Sequence, residues 1–287
     1  MYKKSIKDNS QYLLPFIEII KYYGSNDLEQ GGGTMMILNE NGDILTCKHI
    51  AEEFEKSGNL SSIYPQIIQD LKSAKNKDHR KKIEKKYGLK KGVATLLHIH
   101  FLLDIKDDFS LEIIPHEYLD LALLRFKGIK TTRLSYPVFS EIFPEQGQSV
   151  CKLGYAFPEF DMFEYSNELN DIIMKENGNY NFPLFPMDGI VTRGIMDDHG
   201  FISMFETSTP GLRGQSGGPI FSPGGIIYGI QSMTIHLDLN FDVNTSVMRG
   251  IEKKKVTYTP FMNLGIGIAS TEIIKFLEEN NVEFQKK

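Results

Sequence analysis

Gly214-Gln215-Ser216-Gly217-Gly218-Pro219 places a serine hydroxyl among glycines that leave the surrounding backbone open. A nucleophilic hydroxyl creates an oxyanion when it attacks a carbonyl, and the N–H groups of Gly214 and Ser216 are placed to hold one. The hydroxyl is a poor nucleophile at neutral pH until a base takes its proton. That base works best when a carboxylate fixes its tautomer. A histidine and an acid are therefore required elsewhere in the chain. The same letters satisfy the G-x-S-x-G elbow of α/β-hydrolases, in which an acid and then a histidine follow the serine after further elements. Only His236 follows Ser216, and it follows closely, so the partners are sought upstream.

Of the seven histidines, His49 directly follows the apolar strand Ile44-Leu45-Thr46-Cys47 and precedes Ile50-Ala51, which open a helix. That position gives an imidazole a rigid support. His98 and His100 share one face of a strand, as metal ligands do, but no third ligand has suitable spacing, so strand packing is the simpler role. His79 lies in a basic tract, and His116, His199 and His236 fall in turn or loop contexts. For the acid, Leu119-Asp120-Leu121-Ala122-Leu123-Leu124 puts a carboxylate at the mouth of an apolar strand. Burial there is costly without a partner, and an imidazole N–H is a fitting one.

The elements that must carry these groups are strands. Phe16–Tyr22, Gly33–Leu38, Asp43–Cys47, Ala94–Leu103, Ser110–Ile114 and Leu121–Phe126 are short, rich in β-branched or aromatic residues and separated by turns. Asn41-Gly42 reads as a hairpin turn. A second set follows at Ser149–Leu153, Gly189–Ile195, Phe201–Thr207, Pro219–Phe221, Ile226–Met233 and Gly265–Ala269. The expected class is all-β in two halves. Helical character is expected from about Ala51 to Tyr87, and again from Ser270, which is placed to cap a terminal helix over 270–282. Phe157–Phe185, rich in Pro, Asn, Glu and Asp, is expected to be a long surface loop.

With 287 residues, 41% of them hydrophobic, the chain has the composition of an ordinary globular protein. Cys47 and Cys151 give no disulfide framework and suit buried thiols. The apolar stretch Tyr12–Ile20 is interrupted by Pro15 and Glu18, so neither a signal peptide nor a membrane span is expected, and a cytoplasmic location is. The net charge of -5 conceals a segregated tract: Lys72–Lys91 holds ten Lys/Arg against two acids, about +8, leaving about -13 on the remainder. With Tyr87 its only aromatic, this tract is a weak nucleic-acid candidate.

In the order His49, Asp120, Ser216, and in local text, the chain resembles the trypsin-like (chymotrypsin-fold) serine peptidases, particularly the bacterial branch that includes the HtrA/Deg proteins. Gly31-Gly32-Gly33-Thr34-Met35-Met36-Ile37 with Thr46-Cys47-Lys48-His49 is similar to the glycine-rich strand and histidine motif of that family. Asp120-Leu121-Ala122-Leu123-Leu124 is similar to its aspartate strand, and Gly214–Pro219 to its serine motif. The resemblance implies one peptidase unit over 1–287 made of two Greek-key six-stranded β-barrels, with no PDZ domain. The first barrel would span 12–135 with a helical, basic insertion at about 51–92, and the second 136–269. It further implies catalysis by His49, Asp120 and Ser216, an oxyanion hole from the amides of Gly214 and Ser216, and no cofactor or metal. A specificity pocket would be walled by Pro210, Gly211, Leu212 and Arg213 on one side and by Gln231, Ser232, Met233 and Thr234 on the other. Pro210 stands where trypsin has an acid, so small to medium apolar side chains are expected in place of Lys or Arg. Gln215 stands where digestive members carry the acid that receives a newly cut N-terminus, which argues against that activation route. The expected partner is a protein or peptide substrate, together with a protein that regulates a latent site. The alternatives are a catalytically silent binding or sensor protein of the same fold and an esterase or acyl transferase using the same triad.

Overall fold

The computed structural model of the chain describes residues 1–101, 109–157, 159–196, 200–250 and 252–287. A short helix α1 (Lys3–Asn9) leads into β1 (Leu13–Tyr22), β2 (Leu28–Ile37) and β3 (Asp43–Thr46). Helices α2 (Lys48–Lys72) and α3 (Lys77–Lys86) come next, then β4 (Ala94–Phe101), β5 (Ser110–Pro115) and β6 (Ala122–Lys127). These six strands pair antiparallel in the order β4-β1-β2-β3-β6-β5 and form a closed barrel. Its strands are largely apolar, with Met35, Ile37, Ile44, Leu45, Leu123, Leu124 and Phe126 fully buried. Neighbours such as Ile44 and Leu45, or Leu123 and Leu124, point to opposite faces, so these strands are covered on both, and removal of their side chains from water is the main force closing the barrel.

The second half begins with β7 (Val138–Phe139) and β8 (Ser149–Gly154), followed by β9 (Glu159–Ser166), β10 (Asp171–Asn181), β11 (Phe185–Met196) and β12 (Ile202–Thr207). It continues with β13 (Pro219–Phe221), β14 (Ile227–Asp238), β15 (Val243–Arg249), β16 (Glu252–Tyr258), β17 (Phe261–Ala269), helix α4 (Ser270–Glu279) and β18 (Gln285–Lys286). Eight of these strands form a curled sheet in the order β13-β8-β11-β12-β17-β14-β7-β18, and β13 also pairs with β14. The protein is mostly β, with a closed barrel and a curled sheet. The second sheet has eight strands where six were expected, because the two-residue strands β7 and β18 add parallel pairings beside β14.

Several expectations need correction. Residues 157–185 are not a loop: β9 and β10 form an antiparallel hairpin. Met162, Phe163 and Ile172 pack it on Ile17, Ile19, Tyr64 and Leu96 of the first half. Glu164, Asn167, Glu168, Glu176 and Asn177 are exposed while Met162, Phe163 and Ile172 are buried, a pattern that the polar composition masked. The helical passage starts at Lys48, so His49 lies inside the first turn of α2, and it divides into two helices between Lys72 and Lys77. Ser270 is the first residue of α4 and not its cap; its hydroxyl donates to the Ser140 carbonyl. His236 sits within β14, which runs on to Asp238, and His199 lies outside the described residues. The ribbon β15–β16 had no counterpart in the expected strands, since both of its faces are largely exposed and polar. Among the described residues, no helix is long and apolar enough to cross a membrane.

Candidate active site

Three separate elements bring His49, Asp120 and Ser216 to one place. His49 stands in the first turn of α2, just after β3 ends, and Asp120 stands two residues before β6, the partner of β3. Strand pairing therefore carries the acid to the histidine. The His49 Nδ1 lies 3.0 Å and 2.9 Å from the two Asp120 carboxylate oxygens, and the His49 backbone N–H donates to Oδ1 at 3.0 Å. Such a carboxylate holds the ring in the tautomer that leaves Nε2 free to accept a proton. The hydrogen bond to Asp120 raises the His49 pKa above the ordinary 6.5, against the opposing effect of burial. For Asp120, burial pushes its pKa up, but hydrogen bonds from His49 and Ser232 outweigh it and the net movement is down. Asp120 therefore stays ionised beside a ring that it makes more basic.

Ser232 is the group that sequence inspection did not connect to the acid. Its hydroxyl donates to Asp120 Oδ2 at 2.6 Å, and its carbonyl accepts from the Ser216 hydroxyl at 3.2 Å. It had been assigned only to the pocket wall; no local pattern links a serine in β14 to an aspartate more than a hundred residues earlier. Among the described residues, Ser216 Oγ bonds this carbonyl and not the His49 ring.

The loop holding Ser216 is fixed from both halves. Thr34 of β2, fully buried, donates its N–H to the Ser216 carbonyl at 2.8 Å and its hydroxyl to the Gly214 carbonyl at 2.8 Å. Gly217 N–H donates to Gln231 of β14 at 2.8 Å. Gly217 has φ +83, and a Cβ there would lie 2.1 Å from the Thr34 carbonyl oxygen, so any other residue would force the two halves apart. Gly214 has φ +94, and a Cβ would lie 2.2 Å from the Tyr155 carbonyl oxygen. The Arg213 carbonyl accepts from Phe157 N–H at 3.0 Å, and a trans peptide then turns the Gly214 N–H the opposite way. Among the described residues, neither Gly214 N–H nor Ser216 N–H has a hydrogen-bond partner. They remain free to donate to an incoming anion.

Gln215 is fully buried and braces this loop from within: its Oε1 accepts from Leu212 N–H at 3.0 Å and its Nε2 donates to the Phe185 carbonyl at 2.8 Å. No charge and no external group is needed for these bonds. Beside Ser216 opens a cavity of about 240 Å³ lined by Gly211, Leu212, Arg213, Gln231, Ser232, Met233 and Thr234. Seven of the eight expected wall residues are brought together there. Pro210 is not among them: its carbonyl turns away to accept from Lys152 Nζ at 2.8 Å. Thr234 Oγ1 donates to the Gly211 carbonyl at 2.8 Å, tying the two walls, and the Gln231 amide donates to the Met233 carbonyl at 2.7 Å.

Among the described residues, one group of possible metal ligands is close enough to share an ion, Cys47, His49 and Asp120, with ligand atoms within 4.8 Å of one another. Cys47 is fully buried, donates to the Gln231 carbonyl at 3.3 Å, and is held well above the ordinary thiol pKa by burial and by Asp120. It offers a protonated thiol where a metal needs a thiolate. His98 instead faces Asp171 at 3.1 Å, and His100 packs on Phe163 with ring centroids 4.4 Å apart. No model of a known protein family matches this chain, and no curated protein matches its sequence.

Proposed function

We propose that this chain is a serine endopeptidase of the trypsin-like type, its two halves acting as the two barrels of that fold. One observation carries the proposal: Asp120 holds His49 directly and is linked to Ser216 by two hydrogen bonds through Ser232, beside two N–H groups that have no partner among the described residues. In the reaction, the scissile carbonyl oxygen enters the space faced by the Gly214 and Ser216 amides. Ser216 swings from the Ser232 carbonyl to His49, which takes its proton as the hydroxyl attacks. His49 then returns that proton to the leaving amine, and Asp120 steadies the imidazolium throughout. Water repeats the sequence to release the acyl group. The walls tied by Thr234 and Gln231 leave a shallow pocket that suits small to medium apolar side chains and has no carboxylate for Lys or Arg.

A second reading, a catalytically silent binding protein, is favoured by the Ser216 hydroxyl donating to the Ser232 carbonyl and not to the His49 ring. A fluorophosphonate probe separates the two. The peptidase reading expects labelling of the native protein and none of Ser216→Ala, and cleavage of a peptide library after small or medium apolar residues. Absence of labelling, alone and with cell extract, would establish the silent protein; cleavage dominated by Lys or Arg would overturn the pocket assignment.

A further inference from the structure

A second and larger cavity, of about 420 Å³, opens away from these residues, between α2, β4 and the turn of the β9–β10 hairpin. Its apolar side is made by Tyr64, Pro65 and Ile68 of α2 and Leu96 of β4. Tyr64 is not free to move, because its hydroxyl is bonded to that of Tyr165 on β9 at 2.7 Å. The polar side holds two opposite charges in different situations. Asp171 is engaged, by His98 at 3.1 Å and by the Ile172 N–H at 2.8 Å. Lys72, also on the lining, has no carboxylate or hydrogen-bond partner among the described residues. In the same tract Arg80 and Lys86 have partners, Glu84 and Asp70, while the remaining lysines, like Lys72, have no carboxylate partner among the described residues; of them Lys72 alone lines the cavity. Lys72 also begins the tract of ten Lys/Arg against two acids, which draws anions toward this end of the molecule.

We propose that this cavity binds a small monocarboxylic acid with an apolar body, its carboxylate on Lys72 and its body on the Tyr64–Ile68 face. The size lies in the range of clefts that enclose small molecules, about 300–1,000 Å³, and the lining combines an apolar wall with one unneutralised cation.

Occupancy reaches the Ser216 loop through the hairpin, a step that rests on the peptidase reading. The hairpin turn, Leu169–Asp171, lines the cavity. The segment containing the hairpin meets the loop at both ends: Phe157 N–H holds the Arg213 carbonyl and the Phe185 carbonyl takes the Gln215 amide. A ligand that orders the turn therefore steadies the peptide that aims the Gly214 N–H, and Ser216 reacts faster.

The test uses the full chain and two carboxylates, octanoate and 4-phenylbutyrate, with octanamide as the uncharged control. Calorimetry is run on Ser216→Ala, so that binding is read without any activity. Saturable one-to-one binding of at least one acid is expected, with octanamide about tenfold weaker or more, as for loss of a charge-assisted contact. Lys72→Met, at an exposed position, should abolish that preference while melting like the parent. No saturable binding of either acid, equal binding of octanamide, or an unchanged preference in Lys72→Met would each overturn the site. Which acid binds tells an aliphatic from an aromatic ligand. On the native chain, the fluorophosphonate labelling rate should rise severalfold with the acid and not in Lys72→Met; an unchanged rate would overturn the coupling. If the native chain is never labelled, the enzymatic reading and the coupling fall together, and the cavity stands or falls on binding alone.

Discussion

On the peptidase reading His49 must be unprotonated to take the Ser216 proton, so the group that raises its pKa also sets the acid side of the rate profile. Because the hydrogen bond to Asp120 raises that pKa above 6.5, the acid limb of kcat/KM is expected above pH 6.5. Asp120→Asn removes the cause. The pKa should then fall, since burial alone pushes it down, and the residual activity should show its acid limb at lower pH. The rate itself should drop about 10⁴-fold, as when the orienting carboxylate of such a triad is lost. A pH series of amide-substrate hydrolysis on both proteins decides it; an acid limb that stays in place in the variant would remove Asp120 from its role. His49, Asp120 and Ser216 were legible in the sequence because each stands in a distinctive apolar or glycine-rich context. Ser232 was not legible in this role, since its tie to Asp120 exists only once β14 has been brought across the cleft.

Among the elements, the Gly214–Gly218 loop depends on neighbours that no local pattern announces. Gln215 makes two neutral bonds to backbone, to Leu212 and Phe185, and these set the loop from within the chain. Gln215→Ala would leave both backbone groups short of a partner and free the Arg213–Gly214 peptide to turn. Loss of a well-aimed donor costs about 10²–10³-fold in kcat. The expected outcome is a fall of that order in turnover with little change in KM and a modest loss of thermal stability, read by steady-state kinetics and calorimetry. Undiminished turnover would mean that the Gly214 N–H is aimed by something else. The strands around this loop were readable from their Val, Ile and Leu content, whereas the β9–β10 hairpin was hidden by its Asn and Glu residues. What makes it structure is Met162, Phe163 and Ile172 meeting Ile17, Ile19, Tyr64 and Leu96 of the first half, and that surface is not visible along one stretch of chain.

In the molecule as a whole, the second sheet buries a costly group. Lys152, in β8, is fully buried, and its amine donates to Thr207 Oγ1 at 3.1 Å and to the carbonyls of Thr209 and Pro210. Burial drags its pKa down from 10.5 to about 7. Below about pH 7 both folded and unfolded chains hold this proton, and the folded chain bears the full cost of burying it. Between 7 and 10.5 the folded chain sheds the proton first, so this group makes stability rise with pH across that window. Each unit of pKa displacement is worth about 1.4 kcal/mol. Urea unfolding at pH 7 and pH 9 should show a gain in the parent that is smaller in Lys152→Met by up to about 2 kcal/mol; identical pH slopes would show that the three oxygens keep the amine charged. The two-halves architecture was legible from strand spacing. Lys152 was not, because a lysine amid Val150, Cys151 and Leu153 reads as an outward position until β8 is covered on both faces.

Thr34 belongs to β2, yet it grips the Gly214 and Ser216 carbonyls of the other half, while Thr46 of β3 donates to its own carbonyl at 2.9 Å. The site is thus a property of the junction, and neither half contains it. Two fragments made by dividing the chain between β6 and β7 would each be inert, and serine reactivity would report their reunion as a split sensor does.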